Sequence, residues 1–247
     1  MRLYLIRHCE SENNALWART GSSDGRSADP LLTEKGEAQA ARLAAYLAAN
    51  QQASPHPHRG GPLRDGFRIS HLYTSLMQRS VRTGLAVSRA LDLPLVAWID
   101  IHERGGLYLD DEESGELHGQ EGPGRAFFAK TYPELLLPEA LSEEGWWRRP
   151  YEERDMALGR AAQVVDRLLA QHGEGDDNVA LITHGGFIQS LLQTLFGIFP
   201  AGSPIAAARD VWFKASNGSI TCLDITPDLL RLTYLNYIDY MPAELLT

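Results

Sequence analysis

Two predicted strands end in side chains that can do chemistry on a phosphoryl group. The apolar run 3–6 ends abruptly in Arg7 and His8, and the predicted strand 178–182, apolar from residue 179, is followed by Thr183 and His184. Arginine binds phosphate through a planar fork of N–H donors, and a neutral imidazole beside it can attack phosphorus to form a covalent intermediate. The types and order of these residues therefore point to an anion site with a histidine nucleophile.

The elements that must position these residues alternate between strands and helices. Parallel sheets built this way carry helices on both faces and bind ligands at the carboxyl ends of their strands, so an α/β fold would bring both histidines to one edge. A Ser75-x-x-Gln78 capping box is predicted to begin the second helix. Besides the two strands above, we predict strands at 69–74, 95–101, 220–225 and 230–237, helices at 33–50 (capped by Thr33), 75–91, 151–171 and 187–196, a loop at 51–66, and a turn at Pro227-Asp228.

Composition narrows the class of protein. With 247 residues and 44% hydrophobic content, the chain can bury a large core without disulfides or metal staples. The net charge of −9 argues against general nucleic-acid binding, which needs Lys and Arg against phosphates. No stretch approaches the ~20 apolar residues of a membrane span, and the N-terminal apolar run is too short for a signal peptide. We expect a cytoplasmic protein with no nucleic-acid or membrane partner, and a homodimer stays open.

Five motifs in order carry a family resemblance. They are Leu5-Ile6-Arg7-His8-x-Glu10-Ser11-x-x-Asn14, Asp29-Pro30-Leu31-Leu32-Thr33 with Gly36, Gln39 and Ala40, Tyr73-Thr74-Ser75 with Arg79 and Thr83, His102-Glu103-Arg104, and Leu181-Ile182-Thr183-His184-Gly185-Gly186. Together they resemble the histidine phosphatase superfamily, also called the phosphoglycerate mutase-like family. The resemblance implies a three-layer α/β/α sandwich with a mostly parallel sheet, forming one domain over 1–247 with an inserted cover segment at about 105–155.

The resemblance also implies roles for individual residues. His8 would accept the phosphoryl group, and Glu103 would protonate the leaving oxygen and then deprotonate water. His8 must be neutral to attack, whereas His184 is more useful when protonated. No cofactor is implied, and no carboxylate cluster that would hold a metal is evident. The residues expected to contact the small phosphorylated substrate are Arg7, Ser11, Asn14, Arg79, His184 and Gly185, with Ser11 equally suited to capping a turn.

Cys9 offers a rival nucleophile. Cysteine-dependent phosphatases carry an arginine six residues after the cysteine, but that position here is Ala15, and Glu10 and Glu12 would repel a thiolate. We therefore reject a cysteine mechanism. A cysteine beside His8 nonetheless departs from the family pattern, which often has glycine there, and could make the site oxidisable.

The reaction type depends on the segment after Glu103. Mutases of the family resemble Glu-Arg-His-Tyr-Gly, whereas this chain reads Glu103-Arg104-Gly105-Gly106-Leu107. Residues 105–155 contain five basic and thirteen acidic residues, and an acidic cover would disfavour a polyanion unless those acids face solvent. We predict a metal-independent phosphomonoester hydrolase that works through a phosphohistidine. The alternatives are phosphoglycerate mutase-type transfer and a non-catalytic scaffold that binds a phosphorylated ligand.

Overall fold

The computed structural model describes residues 1–52, 66–111, 114–197 and 211–247. The described strands are β1 (Arg2–Arg7), β2 (His71–Thr74), β3 (Leu95–Ala97), β4 (Tyr108–Asp110), β5 (Leu117–Gly119), β6 (Leu135–Leu136), β7 (Asn178–Thr183), β8 (Ile220–Thr226) and β9 (Leu229–Tyr237). The described helices are α1 (Glu12–Thr20), α2 (Glu34–Ala49), α3 (Gln78–Leu91), α4 (Arg125–Thr131), α5 (Arg154–His172) and α6 (Gly185–Leu195), with short 3-10 helices at Ile99–Ile101 and Ala243–Leu245.

A mostly parallel sheet organises the described elements. Its strand order is β6-β3-β2-β7-β1-β8-β9, and β4 pairs with β5 separately. The strands from β6 to β1 are parallel to their neighbours, whereas β8 and β9 form an antiparallel hairpin beside β1. Pro227 and Asp228 make the hairpin turn, as predicted. The carboxyl ends of β1, β2, β3 and β7 therefore meet at one edge.

Helices cover both faces of this sheet, which confirms the three-layer α/β/α architecture. Tyr4 and Ile6 of β1 pack into a core shared with α2 and α3. Leu3 and Leu5 point the other way, into a core shared with α5 and α6. Side chains alternate across a strand, so an all-apolar strand is the pattern expected when both faces are buried.

Several sequence-predicted boundaries differ from the structure. The third strand stops at Ala97, and a 3-10 helix follows it. α5 begins at Arg154 rather than at residue 151, and α6 begins at Gly185 rather than at residue 187. Most of the predicted loop at 51–66 lies outside the described residues. The Thr33 cap is confirmed, since its hydroxyl accepts a hydrogen bond from the Gly36 N–H at 3.0 Å.

The predicted capping box at Ser75 is wrong. The third helix begins at Gln78, and Met77 occupies the cap position with no side-chain cap bond. The Ser75 hydroxyl instead lies 2.7 Å from Nε2 of His184. The Ser75 hydroxyl, which the local sequence assigned to a helix cap, thus bonds a residue that is distant in sequence. Among the described residues, no helix is long and apolar enough to cross a membrane.

Candidate active site

A cavity of about 530 Å³ opens at the carboxyl edge of the sheet. Among the residues that line it are seven of the eight predicted from sequence: Arg7, His8, Ser11, Asn14, Arg79, Glu103 and Gly185. The eighth, His184, is fully buried and does not line the cavity. Its ring packs against His8 with centroids 5.0 Å apart. The fold thus brings all eight predicted residues together.

Strand register places the two histidines side by side. Arg7 of β1 pairs with Thr183 of β7, so the next residues, His8 and His184, leave the sheet as neighbours. The His8 N–H donates to the Thr183 carbonyl at 2.8 Å. Arg79 reaches the same edge from the first turn of α3, because that helix follows β2, the other neighbour of β7.

His8 is held as a neutral imidazole with a defined tautomer. Its Nδ1 lies 2.7 Å from the Cys9 carbonyl oxygen, which can only accept, so Nδ1 carries the proton. Nε2 therefore has the free electron pair, and it accepts a hydrogen bond from Nε of Arg79 at 3.2 Å. Burial, and then the charges of Arg79 and Arg7, hold the His8 pKa well below its usual range. The nitrogen that could attack phosphorus is thus unprotonated.

His184 does not have the opposite protonation state that the sequence analysis expected. Burial lowers its pKa well below the usual range, and Arg79 and His8 lower it further. Among the described residues, no carboxylate bonds to the His184 ring. The Ser75 hydroxyl lies at its Nε2. Burial and the neighbouring guanidinium groups thus disfavour the protonated form of both imidazoles.

Three buried nitrogens around His8 lack hydrogen-bond partners within the described part of the chain. They are Nε of Arg7, Nη1 of Arg79 and Nδ1 of His184. A buried polar group without a partner costs about 1–3 kcal/mol, so native proteins keep few of them. Burial also lowers the pKa of both arginines. The two guanidinium N–H groups are suited to receive an anion that carries several oxygens, and Nδ1 of His184 can join them in the tautomer that carries its proton there.

Asp29 positions Arg79, a role that the sequence analysis did not assign. Its Oδ1 lies 3.7 Å from Nη1 of Arg79, and it also accepts a hydrogen bond from the Gln78 N–H at 3.1 Å. Burial raises the pKa of Asp29. The motif Asp29-Pro30 was noticed only as the entry to a helix, and only the folded chain brings this carboxylate to Arg79.

Ser11 and Asn14 belong to a helix that the sequence analysis treated as a turn. Ser11 caps α1, and the two side chains form a capping box that satisfies backbone N–H groups at its start. Oδ1 of Asn14 accepts from the Ser11 hydroxyl and from Nδ2 of Asn217, each at 3.0 Å. Because the amide oxygen is engaged, its amino group is the part that can donate toward the cavity. Ser11 thus acts as a cap while also lining the cavity.

Glu103 sits at the N-terminus of α6. Oε1 accepts hydrogen bonds from the N–H groups of Arg104 at 2.8 Å and Phe187 at 2.9 Å. Oε2 accepts a single longer bond, from the Gly186 N–H at 3.1 Å. Two of the helix N–H groups next to Gly185, a residue expected to contact substrate, thus already bind the Glu103 carboxylate. Oε2 is the less engaged oxygen and the better placed to carry a proton.

The outer wall of the cavity comes mostly from residues outside the five motifs. Arg26 lies 3.9 Å from the ring centroid of Tyr108, and Tyr108 makes an edge contact with Tyr151. Trp212, Lys214 and Arg104 line the same space. Sequence reasoning missed these residues, apart from naming Arg104 without favouring a substrate contact, because no spacing along the chain links them.

The acids that the structure describes in residues 105–155 do not line the cavity. Among the described residues that line the cavity, five are cationic (Arg7, Arg26, Arg79, Arg104 and Lys214) and one, Glu103, is a carboxylate. Tyr108 and Tyr151 are the cavity residues that the segment supplies. Asp110 of this segment pairs with the cavity residue Arg26 at 3.5 Å, and none of the segment's described acids lines the cavity itself, which weakens the repulsion argument against a polyanionic substrate.

Gly105 and Gly106 give the segment after Glu103 its path. Their φ angles of 92° and 73° are positive, a region that side-chain-bearing residues rarely adopt. A Cβ on Gly106 would lie 2.0 Å from Cζ2 of Trp147, which is 1% exposed. The glycine pair that replaces the mutase-like His-Tyr is thus required by the backbone and by packing against a buried tryptophan. Trp146 is buried beside it, so both tryptophans pack in the core.

Cys9 is not a reactive thiol in this structure. It is fully buried, and burial raises its pKa to about 12. A thiol at that pKa is almost entirely protonated at neutral pH, so it is a poor nucleophile and resists oxidation. This supports the rejection of a cysteine mechanism and removes the expectation of an oxidisable site.

The fold and the site define a class of protein, and comparison with known families agrees. A model of the histidine phosphatase superfamily (branch 1) matches residues 3–55 and 59–238. The chain belongs to this superfamily.

Curated relatives carry a mutase name. The 2,3-bisphosphoglycerate-dependent phosphoglycerate mutase of Caulobacter vibrioides is 27% identical over 237 residues, covering 86% of this chain and 91% of the relative. The mutase 1 of Latilactobacillus sakei is 28% identical over 211 residues, covering 78% and 79%. The names describe those proteins.

Solved structures with the same fold include phosphatases. A mycobacterial glucosyl-3-phosphoglycerate phosphatase in complex with VO3 has a TM-score of 0.57 at 20% identity, covering 96% of this chain and 99% of that one. A phosphoserine phosphatase from Entamoeba histolytica in complex with 3-phosphoglyceric acid has a TM-score of 0.57 at 17% identity, covering 98% and 99%. At these identities the likeness shows the fold.

Proposed function

We propose that the protein is a phosphomonoester hydrolase that works through a phosphohistidine at His8. The observation that carries the proposal is the free electron pair on Nε2 of a buried His8, whose proton is held on Nδ1, beside guanidinium N–H groups of Arg7 and Arg79 that have no hydrogen-bond partner among the described residues. A nucleophile needs a free electron pair, and a transferring phosphoryl group needs donors where its charge spreads.

In the first step Nε2 of His8 attacks phosphorus and leaves its hydrogen bond with Arg79. The N–P bond forms as the bond from phosphorus to the leaving oxygen breaks. Glu103 gives the leaving oxygen a proton, and Oε2 is the oxygen that holds it. In the second step water attacks phosphorus, Glu103 takes a proton from that water, and the N–P bond breaks. His8 returns to its neutral tautomer.

A specific observation also favours the second candidate, a mutase. The described cavity wall carries five cationic side chains against one carboxylate, which suits a substrate with more than one anionic group. The glycine pair at 105–106 supports the hydrolase, because it excludes the mutase-like His-Tyr at those positions.

Steady-state hydrolysis of p-nitrophenyl phosphate in EDTA tests the proposal, with wild type compared with His8→Ala. We expect turnover by wild type and a loss of at least about 10⁴-fold in the variant, because the covalent step disappears. His118→Ala is the matched control, since His118 is exposed and outside the cavity. Wild-type-like activity in His8→Ala would overturn the mechanism.

A second assay separates the two candidate functions. 3-Phosphoglycerate is supplied with a bisphosphoglycerate primer, and both isomerisation and phosphate release are followed. Phosphate release that exceeds isomerisation supports the hydrolase. Isomerisation without net phosphate release would replace the hydrolase with the mutase.

A further inference from the structure

A second cluster of metal-ligating side chains lies away from the cavity. His71 begins β2, His172 ends α5, and Asp177 precedes β7. One ligand atom from each lies within 4.8 Å of the others. The cavity lies at the opposite edge, since Asp177 and His184 flank the six-residue strand β7 and are therefore about 23 Å apart along it.

We propose that His71, His172 and Asp177 form a binding site for a divalent transition metal of the zinc type. Two imidazoles and one carboxylate are a ligand set that Zn²⁺ uses, with water as the fourth ligand. The set joins three segments that are distant in sequence. This proposal does not depend on the proposed function.

The distances between the ligand groups are close to those a single ion requires. Nδ1 of His172 lies 2.8 Å from Oδ2 of Asp177, and Nδ1 of His71 lies 3.9 Å from Oδ1. Ligand atoms about 2.0–2.2 Å from a tetrahedral metal lie roughly 3.4 Å apart. The metal would take the place of the proton that Asp177 now shares with His172. Nδ1 of His71 also lies 2.9 Å from the Ser70 hydroxyl, so the metal would replace that hydrogen bond.

His172 is already oriented for this role. Its side chain is 5% exposed, and while Nδ1 faces Asp177, Nε2 lies 3.1 Å from the Tyr73 hydroxyl. Metal-bound histidines commonly use the second ring nitrogen in such an outer hydrogen bond, which fixes the ring and its tautomer. Once Nδ1 binds metal, Nε2 of His172 carries the ring proton and donates a hydrogen bond to the Tyr73 hydroxyl oxygen.

Charge at this place also suits a cation. His172 is the last residue of the nineteen-residue helix α5, and the C-terminal end of a helix favours positive charge. Asp177 adds a carboxylate beside this helix end, with Oδ2 2.8 Å from Nδ1 of His172. The partial exposure of Asp177 leaves a path for the ion and its water ligand.

Calorimetric titration of the tag-free, EDTA-treated full chain with Zn²⁺ tests the site. We expect one equivalent to bind and to raise the melting temperature. His71→Ala and Asp177→Asn should each weaken binding at least tenfold, and Tyr73→Phe should weaken it about tenfold through the outer hydrogen bond. These variants avoid the buried His172, whose replacement could impair folding. His118→Ala, the control, should bind as wild type does.

Three results would overturn the proposal. They are the absence of Zn²⁺ binding, binding that His71→Ala and Asp177→Asn leave unchanged, and a loss of binding in His118→Ala that equals theirs. Zn²⁺ held in the main cavity would produce the second result. Phosphatase activity is recorded in parallel and should be the same with and without bound Zn²⁺, because the two sites lie at opposite edges of the sheet.

Discussion

The chemistry of His8 depends on the position of a single proton. The Cys9 carbonyl fixes that proton on Nδ1, and burial with two neighbouring arginines keeps a second proton off Nε2. The bond from Arg79 to Nε2 then orients the ring without protonating it. The Arg79 guanidinium therefore lowers the pKa of His8 and can also donate a hydrogen bond to the phosphoryl group that His8 attacks.

Glu103→Gln provides the residue-scale prediction. An amide cannot deliver a proton, so we expect hydrolysis of phenyl phosphate, whose leaving group is poor, to fall about 10²–10⁴-fold. Hydrolysis of p-nitrophenyl phosphate should fall much less, because its leaving group needs little protonation. Steady-state rates for both esters measure the difference. Glu12→Gln outside the cavity is the control, and equal losses for the two esters would assign the acid to another residue.

At the scale of elements, α5 holds the backbone that carries Glu103. Arg160 on α5 makes a two-pronged ion pair with Glu152, with bonds of 2.6 and 2.7 Å, and both side chains are nearly fully buried. Its Nη1 also donates to the carbonyl oxygens of Asp100 and His102 at 2.6 and 3.1 Å. The residues that precede the proposed acid are thus hydrogen-bonded to a helix that supplies none of the described residues lining the cavity.

Arg160→Met should therefore affect both stability and catalysis. Leaving Glu152 buried and unpaired costs about 3–5 kcal/mol of the free energy of unfolding, measured in urea. Adding Glu152→Leu removes the unpaired charge and should restore much of that stability. It should not restore activity toward phenyl phosphate, because the His102 carbonyl still lacks its anchor.

A surface ion pair serves as the control for this prediction. Arg148 and Glu144 are both at least half exposed, so Arg148→Met should cost less than about 1 kcal/mol and leave activity unchanged. Recovery of full activity in the Arg160→Met, Glu152→Leu double variant would show that α5 does not position Glu103.

Over the whole molecule, buried neutral histidines link folding to pH. Burial holds the pKa values of His8, His102 and His184 well below the usual 6.5 in the folded state. Below pH 6.5 the unfolded chain therefore binds protons that the folded chain does not, and stability falls as pH falls. Each such proton contributes about 1.4 kcal/mol per pH unit. Asp29, whose pKa burial raises, offsets part of this effect.

Urea unfolding between pH 7.5 and 5.5 measures this dependence. We expect the free energy of unfolding to be nearly constant above pH 7 and to decline below 6.5. The decline should be shallower in His102→Gln, because one of the three groups no longer titrates. A flat profile for wild type in this range would mean that the folded state accepts these protons.

Much of the scaffold could be predicted from local pattern. The apolar runs at 3–6 and 179–182 predict buried strands because both of their faces meet helices, and Thr33 marks a helix start by a bond three residues away. Predictions failed for two reasons: a tertiary contact replaced the local one at Ser75, and a local capping box was not recognised at Ser11. Ser75 was assigned to a helix cap and instead bonds His184, and Ser11 was placed in a turn and instead begins a helix.

The sequence by itself determined the nature of the site, since Arg7, His8 and His184 follow strands whose ends must meet in a parallel sheet. Only the tertiary structure decided the protonation of the histidines, which depends on burial and on charges from other segments. It alone brought Arg26 and Lys214 to the cavity and His71 to His172. Such contacts join distant parts of the chain, and no periodicity or spacing encodes them.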